Sequence, residues 1–143
     1  THVPYKGSSQ SLTDLIGGQV QMTFENLPVI LPHMRSGKLR LLAVGTQKRS
    51  SLVPNYPTVA ETIPGYEAST SSGVATTART PVEIIARLNR ELVRIIQAAA
   101  FKDRFAAEGW EVVGSTPEQY ATHLREESAR IARTIKAANI KPE

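Results

Sequence analysis

Residues 20–44 read VQMTFENLPVILPHMRSGKLRLLAV. Val20-Gln21-Met22-Thr23-Phe24 alternates apolar and polar side chains, the pattern of a half-buried strand. Glu25-Asn26-Leu27-Pro28 turns the chain, and Ile30, Leu31 and Met34 then share one helical face that ends near Gly37. Leu39-Arg40-Leu41-Leu42-Ala43-Val44 is largely apolar, as in a strand covered on both faces. Upstream, Leu12, Leu15 and Ile16 fall at i, i+3, i+4 and are stopped by Gly17-Gly18. That helix follows a turn at Lys6-Gly7-Ser8-Ser9 and a short strand end at His2-Val3-Pro4-Tyr5. The order β-α-β-α-β with short connections predicts an α/β class with a parallel sheet.

Downstream, residues 45–65 hold Pro54, Pro57 and Pro64 and read as a long surface connection. One helical turn is expected around Val59-Ala60-Glu61. Gly73-Val74-Ala75-Thr76 reads as a strand of small residues and a crossing between lobes. The second half is more helical. Thr80-Pro81-Val82-Glu83 predicts a helix start with Thr80 as cap and Glu83 as its capping-box partner. Ile84, Ile85, Leu88, Leu92, Ile95 and Ile96 then mark one face. A short helix over 101–108 ends at Gly109, and Trp110-Glu111-Val112-Val113 reads as a strand with Trp110 in the core. Thr116-Pro117-Glu118-Gln119 repeats the start signal ahead of Tyr120, Leu124, Ile131 and Ile135.

The chain has 143 residues, room for one ordinary domain or two small lobes. Hydrophobic residues make up 41%, enough for a core and against general disorder. No apolar run reaches the roughly 20 residues of a spanning helix. The start, Thr1-His2-Val3-Pro4, lacks the basic and apolar regions of a signal peptide. Without cysteine there is neither a disulfide framework nor a thiolate metal site, and the compartment stays open. The net charge is +4 and the isoelectric point about 9.6, which raises nucleic acid as a partner. The distribution argues against it. Glu83 and Glu91 lie among Arg87, Arg90 and Arg94, and Glu126 and Glu127 precede Arg130, Arg133 and Lys136. Mixed signs on helices mark solvated faces. Aromatic residues are 6% of the chain and scattered, unlike a stacking platform for single strands.

Two stretches are candidate ligand loops. Tyr5-Lys6-Gly7-Ser8-Ser9 runs from a strand end through a glycine turn to a helix start. Free N–H groups there, two hydroxyls and Lys6 suit a carboxylate or phosphate. The same spacing fits an ordinary N-cap by Ser8 or Ser9 with a solvated Lys6. Glu25 and Asn26 occupy the equivalent place after the next strand, on the same sheet edge, where ligands bind in open α/β sheets. Glu25 suits a ligand ammonium or hydroxyl, while Asn26 both donates and accepts. Alternatively Asn26 is a helix cap. No catalytic set is found: the spacing of Gly7 is not that of a Walker A loop, G-x-S-x-G is absent, and His2, His33 and His123 share no metal-ligand spacing. No cofactor is called for.

A resemblance extends over essentially the whole chain. In order come His2-Val3-Pro4-Tyr5-Lys6-Gly7-Ser8, Asp14-Leu15-Ile16-Gly17-Gly18-Gln19-Val20, Phe24-Glu25-Asn26-Leu27-Pro28, Ser36-Gly37-Lys38-Leu39-Arg40, Pro57-Thr58-Val59-Ala60-Glu61 and Ile63-Pro64-Gly65-Tyr66-Glu67. Thr80-Pro81, Gly109, Thr116-Pro117-Glu118 and Ile140-Lys141-Pro142-Glu143 continue the match. The sequence closely resembles the Bug, or TctC-like, solute receptors of tripartite tricarboxylate transporters. The resemblance implies part of a two-lobed, type II periplasmic binding-protein fold with parallel-rich sheets flanked by helices. Residues 1–70 would belong to the second, ligand-binding lobe. Residues 71–143 would hold a return strand and the C-terminal part of the first lobe. The implied function is non-enzymatic capture of a small carboxylate (a di- or tricarboxylate or an amino acid) in the periplasm, for membrane transporter subunits. It further implies that Tyr5, Lys6, Gly7, Ser8, Ser9, Glu25 and Asn26 face the cleft. Where relatives often carry Asp before the Asn, this chain has Glu25, one methylene longer.

Family chains are longer, and the match begins midway. The signal peptide and most of the first lobe are therefore expected to be missing, leaving open sheet edges and bare apolar faces. Such a fragment is expected to associate with another chain or with its absent half. Two other readings stay open from the residues alone: a small α/β enzyme fragment, hydrolase or transferase, and a basic nucleic-acid module.

Overall fold

The computed structural model describes residues 1–140, so the end of the last motif, residues 141–143, lies outside the described residues. Among the described residues five helices follow in order: α1 (Ser8–Ile16), α2 (Leu27–Arg35), α3 (Val82–Ile96), α4 (Ala99–Ala107) and α5 (Pro117–Ala137), with one 3₁₀ turn at Val59–Glu61 between α2 and α3. The chain divides into two compact units. The first holds Thr1–Ser71 and Asp103–Glu111, the second Ser72–Lys102 and Val112–Glu143.

The helices begin and end for local reasons. α1 stops at Gly17, and Gly18 takes a left-handed turn at φ +76°. Pro28 opens α2, where a missing N–H costs nothing. α5 has the full capping box expected from its sequence: the Thr116 hydroxyl accepts from the Gln119 N–H, and the Gln119 side chain accepts from the Thr116 N–H. α3 departs from expectation. Its N-cap is Pro81, without a side-chain cap, because the Thr80 hydroxyl instead bonds those of Thr76 at 2.7 Å and Thr77 at 3.0 Å. Glu83 therefore has no capping partner in Thr80.

The expected strands differ more. Among the described residues no ladder of paired strands forms, and the one β-bridge joins Val44 to Thr58 in parallel. Residues 20–24, 39–43, 73–76 and 110–113 carry strand-like patterns but pair with nothing regular. A strand pattern prepares one or two faces; the ladder itself needs a second strand at about 4.8 Å. Apolar side chains along these runs stay exposed. Phe24 is 72% exposed, Val74 76% and Val113 77%. Trp110, expected in the core, is also exposed.

Burial in the first unit centres on Leu12 of α1 and on Val53 and Thr58, with Ser11 beside Leu12. Around the bridge, the Val44 N–H donates to the Pro57 carbonyl at 2.9 Å and the Val59 N–H to that of Val44 at 3.0 Å. Ala68 donates to the Gly45 carbonyl at 2.9 Å, and a Cβ on Gly45 would fall within 2.2 Å of the Ala68 oxygen. Only glycine allows that approach. Gly109, at φ +89°, lies with its Cα face against the backbone of Pro28 and so buttresses the first turn of α2. In the second unit, the Asn89 amide donates to the Ser115 carbonyl at 3.0 Å and that of Gln97 to the Val113 carbonyl at 3.1 Å. These two bonds tie α3 to the segment leading into α5.

Candidate functional site

The seven residues singled out in the sequence all lie in the first unit. Five of them form the approach to α1. Tyr5 is half-buried and donates its hydroxyl to Asp14 Oδ2 at 2.8 Å. Accepting that bond, the Asp14 carboxylate holds the phenol above its ordinary value of 10.0, because ionisation would break the bond and set two negative charges together. Lys6 is exposed and forms no ion pair among the described residues. Gly7 is the N-cap of α1 with an extended backbone that any residue adopts, and a Cβ there would enter open space. Its carbonyl accepts from the N–H groups of Gln10 and Ser11. The N–H groups of Ser8 and Ser9 have no acceptor among the described residues. They are the open donors of the first turn.

The second loop reaches the first through its acid. Glu25 is half-buried, Oε2 accepts from the Ser8 hydroxyl at 2.8 Å, and Oε1 accepts from the Ser11 hydroxyl at 2.9 Å. Ser11 also lies 3.0 Å from the Ser8 carbonyl, so its single proton is shared. Asn26 sits at the N-cap position of α2, yet its side chain makes no capping bond. Its Oδ1 instead accepts from the Thr70 hydroxyl at 2.5 Å, which leaves the amide Nδ2 as its donor. Ser9 stays outside this network through its side chain; its carbonyl accepts from Thr13 Oγ1 at 2.8 Å.

The structure thus brings Ser8 and Glu25 into direct contact and sets Gly7 and Ser9 on either side of Ser8 in the chain. Tyr5 and Asn26 are bound to other partners, Asp14 and Thr70. Sequence reasoning missed Ser11, Asp14 and Thr70. Ser11 was within reach of it, since i and i+3 share a helix face and Ser8 was already singled out. Thr70, 44 residues from Asn26, gave no local signal. The two loops thus meet at a carboxylate that accepts from two hydroxyls, next to the open backbone donors at the start of α1. No group of three or more His, Cys, Asp or Glu among the described residues is placed to hold a metal ion.

Comparison with known proteins agrees with the motifs. Residues 1–140 match the tripartite tricarboxylate transporter family receptor, TctC. The protein BugT of Bordetella pertussis is 38% identical over 140 residues, covering 97% of this chain and 43% of BugT. A UPF0065 protein of Bordetella bronchiseptica is 36% identical over 141 residues, covering 99% of this chain and 42% of that protein. Among solved structures, R. palustris Rpa4515 with adipate has 36% identity and a TM-score of 0.87, over 99% of this chain and 48% of that one. The periplasmic binding protein BugD has 25% identity and a TM-score of 0.77, over 99% of this chain and 48% of BugD. The chain therefore spans less than half the length of these relatives. Its fold is that of the matching part of a periplasmic binding protein. With the family matched along all the described residues, the chain belongs to the tripartite tricarboxylate transporter receptors, a family of solute-binding receptors and not of enzymes.

Proposed function

We propose that this chain carries the ligand-holding loops of a periplasmic receptor that captures a small carboxylate for a tripartite tricarboxylate-type transporter. The observation that carries the reading is the joining of the two loops: Glu25 accepts from Ser8 and Ser11, beside the open N–H groups of Ser8 and Ser9. A carboxylate accepts two or more such donors, and Lys6 adds opposite charge. The similarity to a receptor solved with adipate supports the same ligand class. Tyr5, Lys6, Gly7, Ser8, Ser9, Glu25 and Asn26 form the ligand side of the first unit in this reading. In the same reading residues 1–70 are part of the second, ligand-binding lobe, and 71–143 are the return strand and the C-terminal part of the first lobe. The unpaired runs at 20–24 and 39–43 find their partner strands in further receptor polypeptide, which completes the parallel-rich sheets. Membership of the family supports a periplasmic location and membrane transporter subunits as partners.

Titration calorimetry on the complete gene product, with C4 to C6 dicarboxylates, tricarboxylates and acidic amino acids, tests this. We expect saturable binding of at least one, weakened about tenfold by Asn26→Ala, the loss of one hydrogen bond from its amide to a charged group. A folded gene product that binds none of them at millimolar concentration overturns the reading.

A further inference from the structure

The hydroxyl protons around Glu25 are already spoken for, and this bears on which carboxylate the site takes. Ser8 has one hydroxyl proton, and it goes to Glu25 Oε2 at 2.8 Å. Ser11 has one, and it is divided between Glu25 Oε1 and the Ser8 carbonyl. An ionised carboxylate only accepts, so it cannot return a proton to either serine. Ser8 Oγ is left with lone pairs to offer. Tyr5 is in the same condition, its proton given to Asp14 Oδ2.

We propose that Glu25 is a positioning and specificity-determining residue: by taking the protons of Ser8 and Ser11 it makes Ser8 an acceptor, and so selects a small carboxylate bearing a hydroxyl or ammonium donor over its unsubstituted parent. The inference rests on the carboxylate-receptor reading and adds the class of substituent to it. A ligand oxygen set against Ser8 Oγ meets lone pairs. Turning the Ser8 proton toward it would leave Glu25 with one donor fewer in a half-buried place, a penalty the parent acid meets and the substituted acid escapes. Aspartate at this position would be one methylene shorter. The longer Glu25 spans 2.8 and 2.9 Å bonds to two serines one helical turn apart.

The experiment compares matched ligand pairs by calorimetry on the complete gene product: succinate with malate and aspartate, and adipate with 2-hydroxyadipate and 2-aminoadipate. In the wild type we expect a substituted member to bind about tenfold tighter than its parent, the worth of one hydrogen bond. Glu25→Gln keeps the shape but places an N–H where one serine proton now points, so it cannot accept from both serines. The ratio should fall toward one in Glu25→Gln, and likewise in Ser8→Ala, which removes the acceptor itself. Equal or weaker binding of every substituted ligand by the wild type overturns the inference, as does a ratio that survives in a folded Glu25→Gln variant. Should Glu25→Gln fail to fold by circular dichroism, Ser8→Ala decides in the same way. A wild type that binds no carboxylate removes the receptor reading and this inference together. That outcome differs from a binder without a preference, which removes only the inference.

Discussion

Glu61 shows how much one side chain can gather from short-range contacts. Arg49 donates to its two oxygens at 2.8 and 2.7 Å, and the Thr58 N–H adds a third bond at 3.0 Å. The Arg49 bonds come first and the Thr58 bond second in pushing this carboxyl from its ordinary 4.5 down to about 2. A carboxyl depressed in the fold stabilises it above the ordinary value, and that stabilisation is lost as pH falls from about 4.5 through about 2. The melting temperature of the gene product should therefore fall more steeply between those pH values than that of Glu61→Gln, which has no carboxylate to protonate. Parallel curves from thermal melts followed by circular dichroism would show that Glu61 contributes nothing to acid sensitivity. The network joins Arg49 to the turn that carries Thr58, itself only 2% exposed and paired with Val44, so it ties the residue 49 loop to the centre of the first unit.

At the scale of elements, two helix starts with the same sequence logic behave differently. Thr116 caps α5 because its box partner lies three residues on, and its hydroxyl accepts from the Gln119 N–H while its own proton is free to serve the Glu118 carboxylate. Thr80 has two hydroxyl neighbours, Thr76 and Thr77, and turns to them. Thr116→Ala should then cost about 1 kcal/mol, whereas Thr80→Ala should stay within about 0.5 kcal/mol, both measured by chemical denaturation. Equal losses would mean that Thr80 caps α3 in solution. The boundaries of α1, α2, the 3₁₀ turn and α5 were legible because glycine, proline and capping residues act within four positions. The strands were legible only as patterns. Val20-Gln21-Met22-Thr23-Phe24 alternates correctly, yet Met22 is 62% exposed and Phe24 72%, since alternation prepares a face and cannot supply the chain that covers it.

For the whole molecule, the balance between core and surface decides. The accessible surface is 11,241 Å². A compact monomer of 15.6 kDa would expose roughly 7,200 Å², and even two separate compact bodies of half that mass roughly 8,700 Å². The excess therefore exists whatever the placement of the two units. Much of it is apolar. Along α3, Ile84, Leu88, Leu92 and Ile95 are between 36% and 47% exposed, and along α5, Leu124, Ile131 and Ile135 between 44% and 48%. Apolar faces on this scale associate. Expressed as these 143 residues alone, the chain should give a light-scattering mass above 15.6 kDa. A stable, soluble monomer at tens of micromolar would contradict that expectation.

The sequence by itself determined the helices, the capping box of α5, the glycine stop of α1, the family, and the two loops that carry the candidate site. Each of these is written in residues a few positions apart, or in ordered motifs that need no partner. Tertiary structure alone decided what those loops do to each other. Glu25 meets Ser8 and Ser11 across 17 and 14 positions, and Asn26 leaves its cap for Thr70 across 44. It also decided that the apolar runs at 20–24 and 39–43 stay unpaired among the described residues. Hydrogen bonds between distant side chains and ladders between strands depend on where the chain returns in space, and local periodicity carries no record of that return.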